Sequence, residues 1–349
     1  MDTGGIRMIA YACSYVPVEI IMASGLVPRR MIPEGRPSDA ESHVHANTCC
    51  YVKSLLASAL DGGGSPFDGI IFANSCDGMR RLNDLWARYV QGPPALFIDI
   101  PKKKDQDSIA FFSSELRRLA DNLETVFRGS QVTLEGLNTA IKRCNEIRQL
   151  MGEVFRRQET RGSKVFELCL EGSQSETIDF TDKIKQFLLA AGEDKSGKTG
   201  KRIVLTGNAM HRSDLITLIE DAGAQVAALD TCIGARHFET LVEEDTADPI
   251  LALARRYLLR PSCARMLGFE EQFQYLQKVY EKAGAQGIIC SAVKYCDLLI
   301  YNVPLMQARF RDLEIPFLFL ENDYTWTDLG QMRTRVDAFL EMLGEGKNV

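Results

Sequence analysis

The chain has 349 residues, 45% of them hydrophobic and 25% charged, with a formal net charge of −6, which is typical of a globular protein with room for two cores. Basic residues are dispersed apart from the run 102–104, and this argues against a nucleic-acid-binding surface. Since no apolar run approaches the ~20 residues of a membrane helix and residues 1–17 lack the order of a signal peptide, we expect a cytoplasmic protein that does not bind membranes.

The first hundred residues alternate between strand and helix patterns. Alternation of this kind favours a parallel sheet with helices on its faces. We therefore predict an N-terminal α/β domain over residues 1–104. The patterns predict strands at 6–14, 69–75 and 95–101, and helices at 18–25, 47–60 and 79–90.

The middle of the chain, residues 105–200, has helical periodicity in three long segments. We interpret it as a helical insert or bridge that ends in a polar linker, Gly192–Lys201. The linker matches a phosphate-binding loop pattern, but such a loop follows a strand and opens a helix. Here a helix precedes the pattern and a strand follows it, so we favour a linker.

Residues 201–349 return to alternation and predict a second α/β domain. The predicted fold class is therefore α/β: two open, mostly parallel sheets, Rossmann-like or flavodoxin-like, joined by the helical segment. In such sheets ligands bind beyond the carboxyl ends of the strands, here in the cleft between the domains. The patterns predict strands at 202–207, 225–231, 287–293 and 316–323, and helices at 213–223, 249–259, 270–284, 304–314 and 329–343.

The chain contains ten cysteines, and a reducing cytoplasm makes structural disulfides improbable. Cys50, Cys144 and Cys169 are interpreted as packed or surface thiols. Cys290 lies inside a predicted strand and has no counterpart in the other half. The other six recur in the same order in both halves, at strand ends and helix ends: Cys13, Cys49, Cys76, Cys232, Cys263 and Cys296.

These six cysteines have two interpretations. They can be small side chains packed at a domain interface, or thiolate ligands that converge on the cleft. The repetition favours metal binding, and soft thiolates favour iron–sulfur or zinc. Zinc is the weaker alternative, because the spacings are long and the four histidines are scattered.

The segments around the cysteines resemble an iron–sulfur family that includes 2-hydroxyacyl-CoA dehydratase subunits, benzoyl-CoA reductase subunits and the double-cubane cluster proteins. The resemblance is strongest to the double-cubane proteins, because all six cysteines are present. The matching segments are AYACSYVPVEIIMASGLVPRRM at 10–31, CCYVKSLL at 49–56, ANSCDGMRRLNDLW at 73–86, LDTCIGARHFE at 229–239, RPSCARM at 260–266, KYCDLLIYNVPLMQA at 294–308 and ENDYTWTDLGQMRTRVDAFLEML at 321–343.

The resemblance implies a [4Fe-4S] cluster between the domains, reduced by a separate ATP-hydrolysing iron–sulfur activator protein. Members with a single cluster hold it with three cysteines, which match Cys49, Cys76 and Cys296. Members with a double cubane, two bridged [4Fe-4S] units, have three more. These match Cys13, Cys232 and Cys263.

The favoured function is an iron–sulfur reductase component that acts on a small substrate under anaerobic conditions. One alternative is a single-cluster 2-hydroxyacyl-CoA dehydratase subunit, a lyase acting on acyl-CoA. Another is a non-catalytic electron-transfer scaffold. We expect a homodimer, with a heterodimer of related subunits as the alternative. The candidates for catalysis at the predicted strand ends are Ser75, His211, Lys294 and Tyr324, for which helix capping or solvation is the competing interpretation.

Overall fold

The structure is a computed structural model that describes residues 7–63, 66–157, 160–175, 178–191, 200–325 and 327–345. The phosphate-loop-like pattern, residues 192–199, lies outside these ranges, so the linker stays a prediction. Within the described residues the chain forms eight strands and fourteen α-helices. None of these helices combines the length and apolarity needed to cross a membrane.

The helices and strands follow one another in the alternating order that the sequence predicts. The N-terminal elements are β1 (Met8–Tyr11), α1 (Val18–Ala23), β2 (Val27–Arg30), α2 (Cys50–Ser58), β3 (Gly69–Ala73), α3 (Asp77–Tyr89) and β4 (Ala95–Ile98). The middle elements are α4 (Gln106–Val126), α5 (Leu134–Arg156), α6 (Gly162–Ser175) and α7 (Ile178–Ala191). The C-terminal elements are β5 (Lys201–Gly207), α8 (Asp214–Asp221), β6 (Ala224–Asp230), α9 (Ala235–Phe238), α10 (Pro249–Leu259), α11 (Phe269–Ala283), β7 (Gly287–Val293), α12 (Asp297–Ile300), α13 (Val303–Asp312), β8 (Phe317–Asn322) and α14 (Leu329–Glu345).

The strands form two parallel sheets of four strands each, in the orders β2-β1-β3-β4 and β6-β5-β7-β8. The two sheets therefore have the same topology, and the predicted α/β class is confirmed. Strand β2 was not predicted, because it has four residues and contains Pro28. Proline has no amide hydrogen to donate, so it is tolerated in this strand at the sheet edge. Helices α6, α9 and α12 were also not predicted.

Each sheet is covered by helices on both faces. On one face of the first sheet, α2 and α3 pack around Phe72 and Trp86, whose ring centroids are 5.4 Å apart. On its other face α1 and α4 pack around Phe112. Phe273 and Phe310 fill the equivalent space between the second sheet, α11 and α13. Helix α6 contacts both edge strands, β2 and β6, and so lies between the two sheets.

A buried ionic network joins α1, α5 and α10. Glu19 of α1 is fully buried and accepts hydrogen bonds from Arg148 of α5 and from the hydroxyl of Tyr257 of α10, the latter at 2.8 Å. Burial raises the pKa of Glu19, but the positive charges of Arg148 and Arg256 outweigh this effect and hold it below its usual value. The carboxylate therefore stays ionised inside the protein and ties the N-terminal helix to helices from the middle and C-terminal parts.

Candidate functional site

All six cysteines selected from the sequence line one cavity between the two sheets. Cys13, Cys76, Cys232 and Cys296 follow β1, β3, β6 and β7, and the carboxyl ends of parallel strands face the cavity. Cys49 immediately precedes α2, and Cys263 lies in the loop between α10 and α11. The cysteines that the sequence excluded, Cys50, Cys144, Cys169 and Cys290, are buried elsewhere and are not part of this lining.

Three of the cysteines, Cys49, Cys76 and Cys296, form what we call the N-cap triad. Each is the N-cap residue of a helix, respectively α2, α3 and α12. The Cys76 sulfur accepts a hydrogen bond from the Met79 amide at 3.4 Å. The Val52 amide of α2 and the Leu299 amide of α12 likewise favour the thiolates of Cys49 and Cys296, although larger effects raise the pKa of Cys49. Helix amides therefore favour the thiolate form at all three positions.

The thiols of the N-cap triad interact with one another. A hydrogen bond from Cys49 lowers the pKa of Cys296 to about 7, and the same bond, together with burial, raises the pKa of Cys49. Burial raises the pKa of Cys76 to about 11, and the charge of Cys296 adds to this effect. Without a bound cation, therefore, the triad cannot hold three thiolates at neutral pH. A cation would stabilise them.

The other three cysteines, Cys13, Cys232 and Cys263, form the arginine triad. The Nη2 atom of Arg30 lies 4.0 Å from the Cys232 sulfur. Burial disfavours the Arg30 cation, but the ionised forms of neighbouring groups, first Tyr51 and then Cys232, raise its pKa. Burial also disfavours the Arg236 cation, but Asp230 and then Cys263 and Cys232 raise its pKa. The Arg265 backbone amide also favours the Cys263 thiolate, so in this triad full guanidinium charges act in addition to a backbone amide.

Several buried donors in the cavity wall have no hydrogen-bond partner among the described residues. They are the Tyr15 hydroxyl, the Ser262 hydroxyl, and Nε and Nη1 of Arg30, in side chains that are 1%, 8% and 3% exposed. Burial and the charge of Cys263 raise the pKa of Tyr15 to about 12, so its hydroxyl keeps its proton. Since an unsatisfied buried donor costs about 1–3 kcal/mol, this wall is suited to a bound acceptor or anion.

The residues fit a multi-iron cluster better than a single metal ion. In the part of the chain that the structure describes, no three His, Cys, Asp or Glu side chains converge on one metal-ion position. A structural zinc ion needs such convergence, because its four ligands surround one atom. In an iron–sulfur cluster the cysteines bind different irons and so can be spread around a cavity. The all-sulfur set of candidate ligands and the cationic wall agree with this kind of group.

Of the four side chains expected to act in catalysis, Ser75 alone lines the cavity. The other three lie behind the cavity wall. The rings of His211 and Tyr324 stack at a centroid distance of 4.2 Å, and Tyr324 is buried. The ammonium group of Lys294 lies 5.3 Å from the centroid of the Tyr295 ring. Tyr324 nevertheless lies close enough to Cys232 and Cys49 for their charges to raise its pKa, after the larger effect of burial. A direct role in catalysis therefore stays a prediction for all four residues.

The sequence did not identify the polar residues that surround the thiols. Arg236 forms an ion pair with Asp230 at 2.8 Å, and both line the cavity. Tyr15 and Ser262 lie within two residues of a candidate ligand, so adjacency to a cysteine is a signal that would have found them. Arg30 lies on the unpredicted strand β2, far from any cysteine in sequence, and no local pattern points to it.

A second, larger cavity of about 860 Å³ adjoins the first. Asp230 and Tyr275 line both cavities and so form the wall between them. The Tyr275 hydroxyl donates a hydrogen bond to Glu239 at 2.9 Å. Lys278 and Lys282 of α11 lie along the larger cavity. Its lining has more basic than acidic side chains, which favours a bound anion.

Replacing His211 should reduce the loss of stability in acid. Burial, with a contribution from Arg212, lowers the pKa of His211 from 6.5 to about 4. The folded state therefore binds fewer protons than the unfolded state between these values, and stability falls as the pH drops below 6.5. Allowing for partial exposure, we expect His211→Gln to reduce the stability difference between pH 7 and pH 5 by about 1 kcal/mol, measured by urea unfolding. His45→Gln, at an exposed position, is the control, and an equal effect of both variants would contradict the assignment.

Comparison with known protein families gives a match over almost the whole chain. A model of the family described as 2-hydroxyglutaryl-CoA dehydratase, D-component, matches residues 13–343. The matched range includes all six cysteines of the cavity.

Individual relatives match over similar lengths. The (R)-phenyllactyl-CoA dehydratase beta subunit of Clostridium sporogenes is 25% identical, covering 98% of this chain and 93% of the relative. One of the benzoyl-CoA reductase subunits of Thauera aromatica is 25% identical, with coverages of 97% and 91%. The beta subunit of (R)-2-hydroxyglutaryl-CoA dehydratase from Acidaminococcus fermentans is 22% identical, with coverages of 94% and 90%.

Proposed function

Because the chain belongs to the 2-hydroxyglutaryl-CoA dehydratase D-component family, we propose that it is an iron–sulfur reductase component with a double-cubane cluster. The family predicted from the cysteine-bearing segments is confirmed, and so is the enzymatic character, since the relatives are dehydratase and reductase components. The kind of cluster and the substrate are part of the proposal.

The observation that carries this proposal is the arrangement of the six cysteines. They line one cavity as two adjoining triads. The triads meet at Cys76, where the charges of Cys13 and Cys263 contribute to its raised pKa, after the larger effects of burial and Cys296. Each triad takes cysteines from both sheets. A single-cluster protein needs only the N-cap triad, which would leave the arginine triad and its unpartnered donors without a role.

The groups around the cavity have separable roles in this proposal. When bound, the cluster supplies electrons one at a time at low potential. The two triads hold iron, and the amides and guanidinium groups offset the thiolate charge. Apolar side chains of Leu276, Leu299 and Met306 line the cavity and exclude water. Ser75 lies where its hydroxyl can orient a small substrate.

The proposal includes partners. A separate ATP-hydrolysing iron–sulfur activator protein supplies the electrons, and the substrate is a small molecule in the cytoplasm. We propose a homodimer, because each chain has both triads and so forms a complete site. Two of the relatives are named as beta subunits, which supports the heterodimer as the alternative.

The test is anaerobic iron and sulfide analysis with electron paramagnetic resonance, followed by turnover assays with an activator and ATP. We expect about eight irons per chain and reduction of a small substrate that depends on ATP. An iron-free protein after anaerobic purification would contradict the proposal. Full iron content without turnover of any substrate would support the scaffold interpretation instead.

The larger cavity favours a second candidate, a single-cluster 2-hydroxyacyl-CoA dehydratase subunit. An acyl-CoA could lie along the 860 Å³ space with its thioester near Tyr275 and Asp230. This candidate requires about four irons per chain. It also requires that an acyl-CoA protect the lysines of α11, Lys278 and Lys282, from chemical modification.

A further inference from the structure

The two triads differ in the groups that stabilise them. The N-cap triad receives backbone amides and the side-chain amide of Asn208, which bonds Cys296. The arginine triad lies next to Arg30 and Arg236. Amides carry partial charges, whereas a guanidinium carries a full charge that is delocalised and always present. The two halves of the cavity are therefore electrostatically unequal.

The charge balance around the arginine triad is positive. Arg236 is compensated by Asp230 at 2.8 Å. Arg265 donates to backbone carbonyls, including that of Ile100 at 2.7 Å, and these carry no net charge. Arg30 forms no ion pair with a carboxylate in the described part of the chain. On α2, the helix that follows Cys49, the buried cation Lys53 is paired with Glu41 at 2.8 Å.

The unpartnered donors that line the cavity lie on the same side. Tyr15 and Ser262 lie within two residues of Cys13 and Cys263 in the chain, and Arg30 contacts Cys232. All three side chains have buried donor atoms with no acceptor among the described residues. These donors are therefore available to an acceptor held by the arginine triad. Hydrogen bonds to the sulfurs of a cluster and nearby positive charge both favour its reduced form.

We propose that Arg30, supported by Tyr15 and Ser262, makes the arginine triad the half of the site with the higher reduction potential. This inference rests on the proposed double-cubane function. The first electron would reside on the iron held by the arginine triad, and the second on the iron held by the N-cap triad, at a lower potential. Arg30 does not bind iron in this proposal. It places a positive charge next to the sulfur of Cys232 and acts on the iron through that sulfur, so it is a positioning residue.

The physical reason is the sign of the charge change. Each reduction adds one electron, taken for instance from titanium(III), which becomes titanium(IV). The added negative charge is stabilised by the buried guanidinium of Arg30, which has no carboxylate partner among the described residues. In a medium of low polarity this attraction is larger than the same interaction in water. Removal of the guanidinium therefore lowers the potential of one half and has little effect on the other.

The test is a redox titration of the anaerobically prepared protein, followed by electron paramagnetic resonance, with iron content as the second readout. We expect Arg30→Met to keep its iron but to lower the reduced-to-oxidised ratio of the first couple at least tenfold at a fixed potential, a shift of about 59 mV. Arg30→Lys should retain most of the wild-type potential. Asn208→Ala should shift the second couple instead, because Asn208 bonds Cys296.

The matched control is Arg29→Met. Arg29 precedes Arg30 on β2, and side chains of successive strand residues point to opposite faces, so it does not line the cavity. If Arg30→Met loses iron, Ser262→Ala provides the test, with a smaller shift of the same couple. An unchanged first couple in an iron-loaded Arg30→Met protein overturns this inference and leaves the proposed function standing. A wild-type protein without iron overturns both.

Discussion

Replacing Cys13 or Cys232 by alanine is expected to remove at least half of the about eight irons per chain that the proposed function requires. Both cysteines belong to the arginine triad and line the cavity. Alanine leaves one iron without its thiolate and exposes it to solvent or substrate, and a cluster with such a defect is lost readily. Iron and sulfide analysis of anaerobically purified protein measures this effect.

Two other cysteines provide matched controls. Cys50 is adjacent to Cys49 in the chain, but it is buried against Val293 and Tyr324 rather than in the cavity wall. Cys290 lies inside β7, opposite Thr206 and Phe319 of the neighbouring strands. Cys50→Ala and Cys290→Ala should keep the wild-type iron content. A wild-type value of about four irons that is insensitive to Cys13→Ala would instead establish the single-cluster alternative.

The substitution Glu19→Gln is expected to destabilise the protein by about 3–5 kcal/mol, because it leaves the buried guanidinium of Arg148 without its anion. Arg148 is 6% exposed and bonds Glu19 directly. The pKa of Glu19 lies below its usual value, so its contribution is present above the pKa of the unfolded chain, about 4.3, and is lost in acid. Urea unfolding at pH 7 and pH 4 measures both effects.

The comparison for Glu19 is Glu171→Gln, which removes one partner of the exposed pair between Glu171 and Lys183. Exposed pairs contribute about 0–1 kcal/mol, so this variant should unfold close to wild type. The double variant Glu19→Gln with Arg148→Met should recover part of the loss, since it removes the unpaired charge. Equal stability of Glu19→Gln and Glu171→Gln would show that the buried network stabilises the protein no more than an exposed ion pair does.

The alternation of apolar runs was sufficient to predict the α/β class and most of the elements. The run Gly287–Val293 is a strand with these same bounds, because it is buried on both faces and reads as continuous apolar sequence. Strand β2 was missed because its four residues, VPRR, have neither length nor apolar character. It forms because β1 pairs with it along one side. This pairing is a tertiary contact, which the local sequence pattern of β2 does not predict.

The sequence predicted the cysteines of the candidate site but not the polar residues around them. The six cysteines line one cavity, and for the four that follow strands the reason is that the carboxyl ends of parallel strands meet at one edge of a sheet. Lys294 and Tyr324 also follow strands, but they are not among the residues that line the cavity. Tyr324 and the neighbour of Lys294, Tyr295, have left-handed backbone conformations, with φ of 68° and 62°, which turn the chain at these points. The direction of a side chain after a strand thus depends on single dihedral angles that residue type does not determine.

The division of each triad between the two sheets has a consequence for biosynthesis. Cys49 and Cys76 are translated early, but the third member of their triad, Cys296, follows 220 residues after Cys76 along the chain. On the proposed assignment, the nascent chain cannot hold a complete set of N-cap ligands until its last strands are leaving the ribosome. Delivery of iron would then be a late step in maturation, and premature termination before Cys296 would give a polypeptide unable to retain its cofactor.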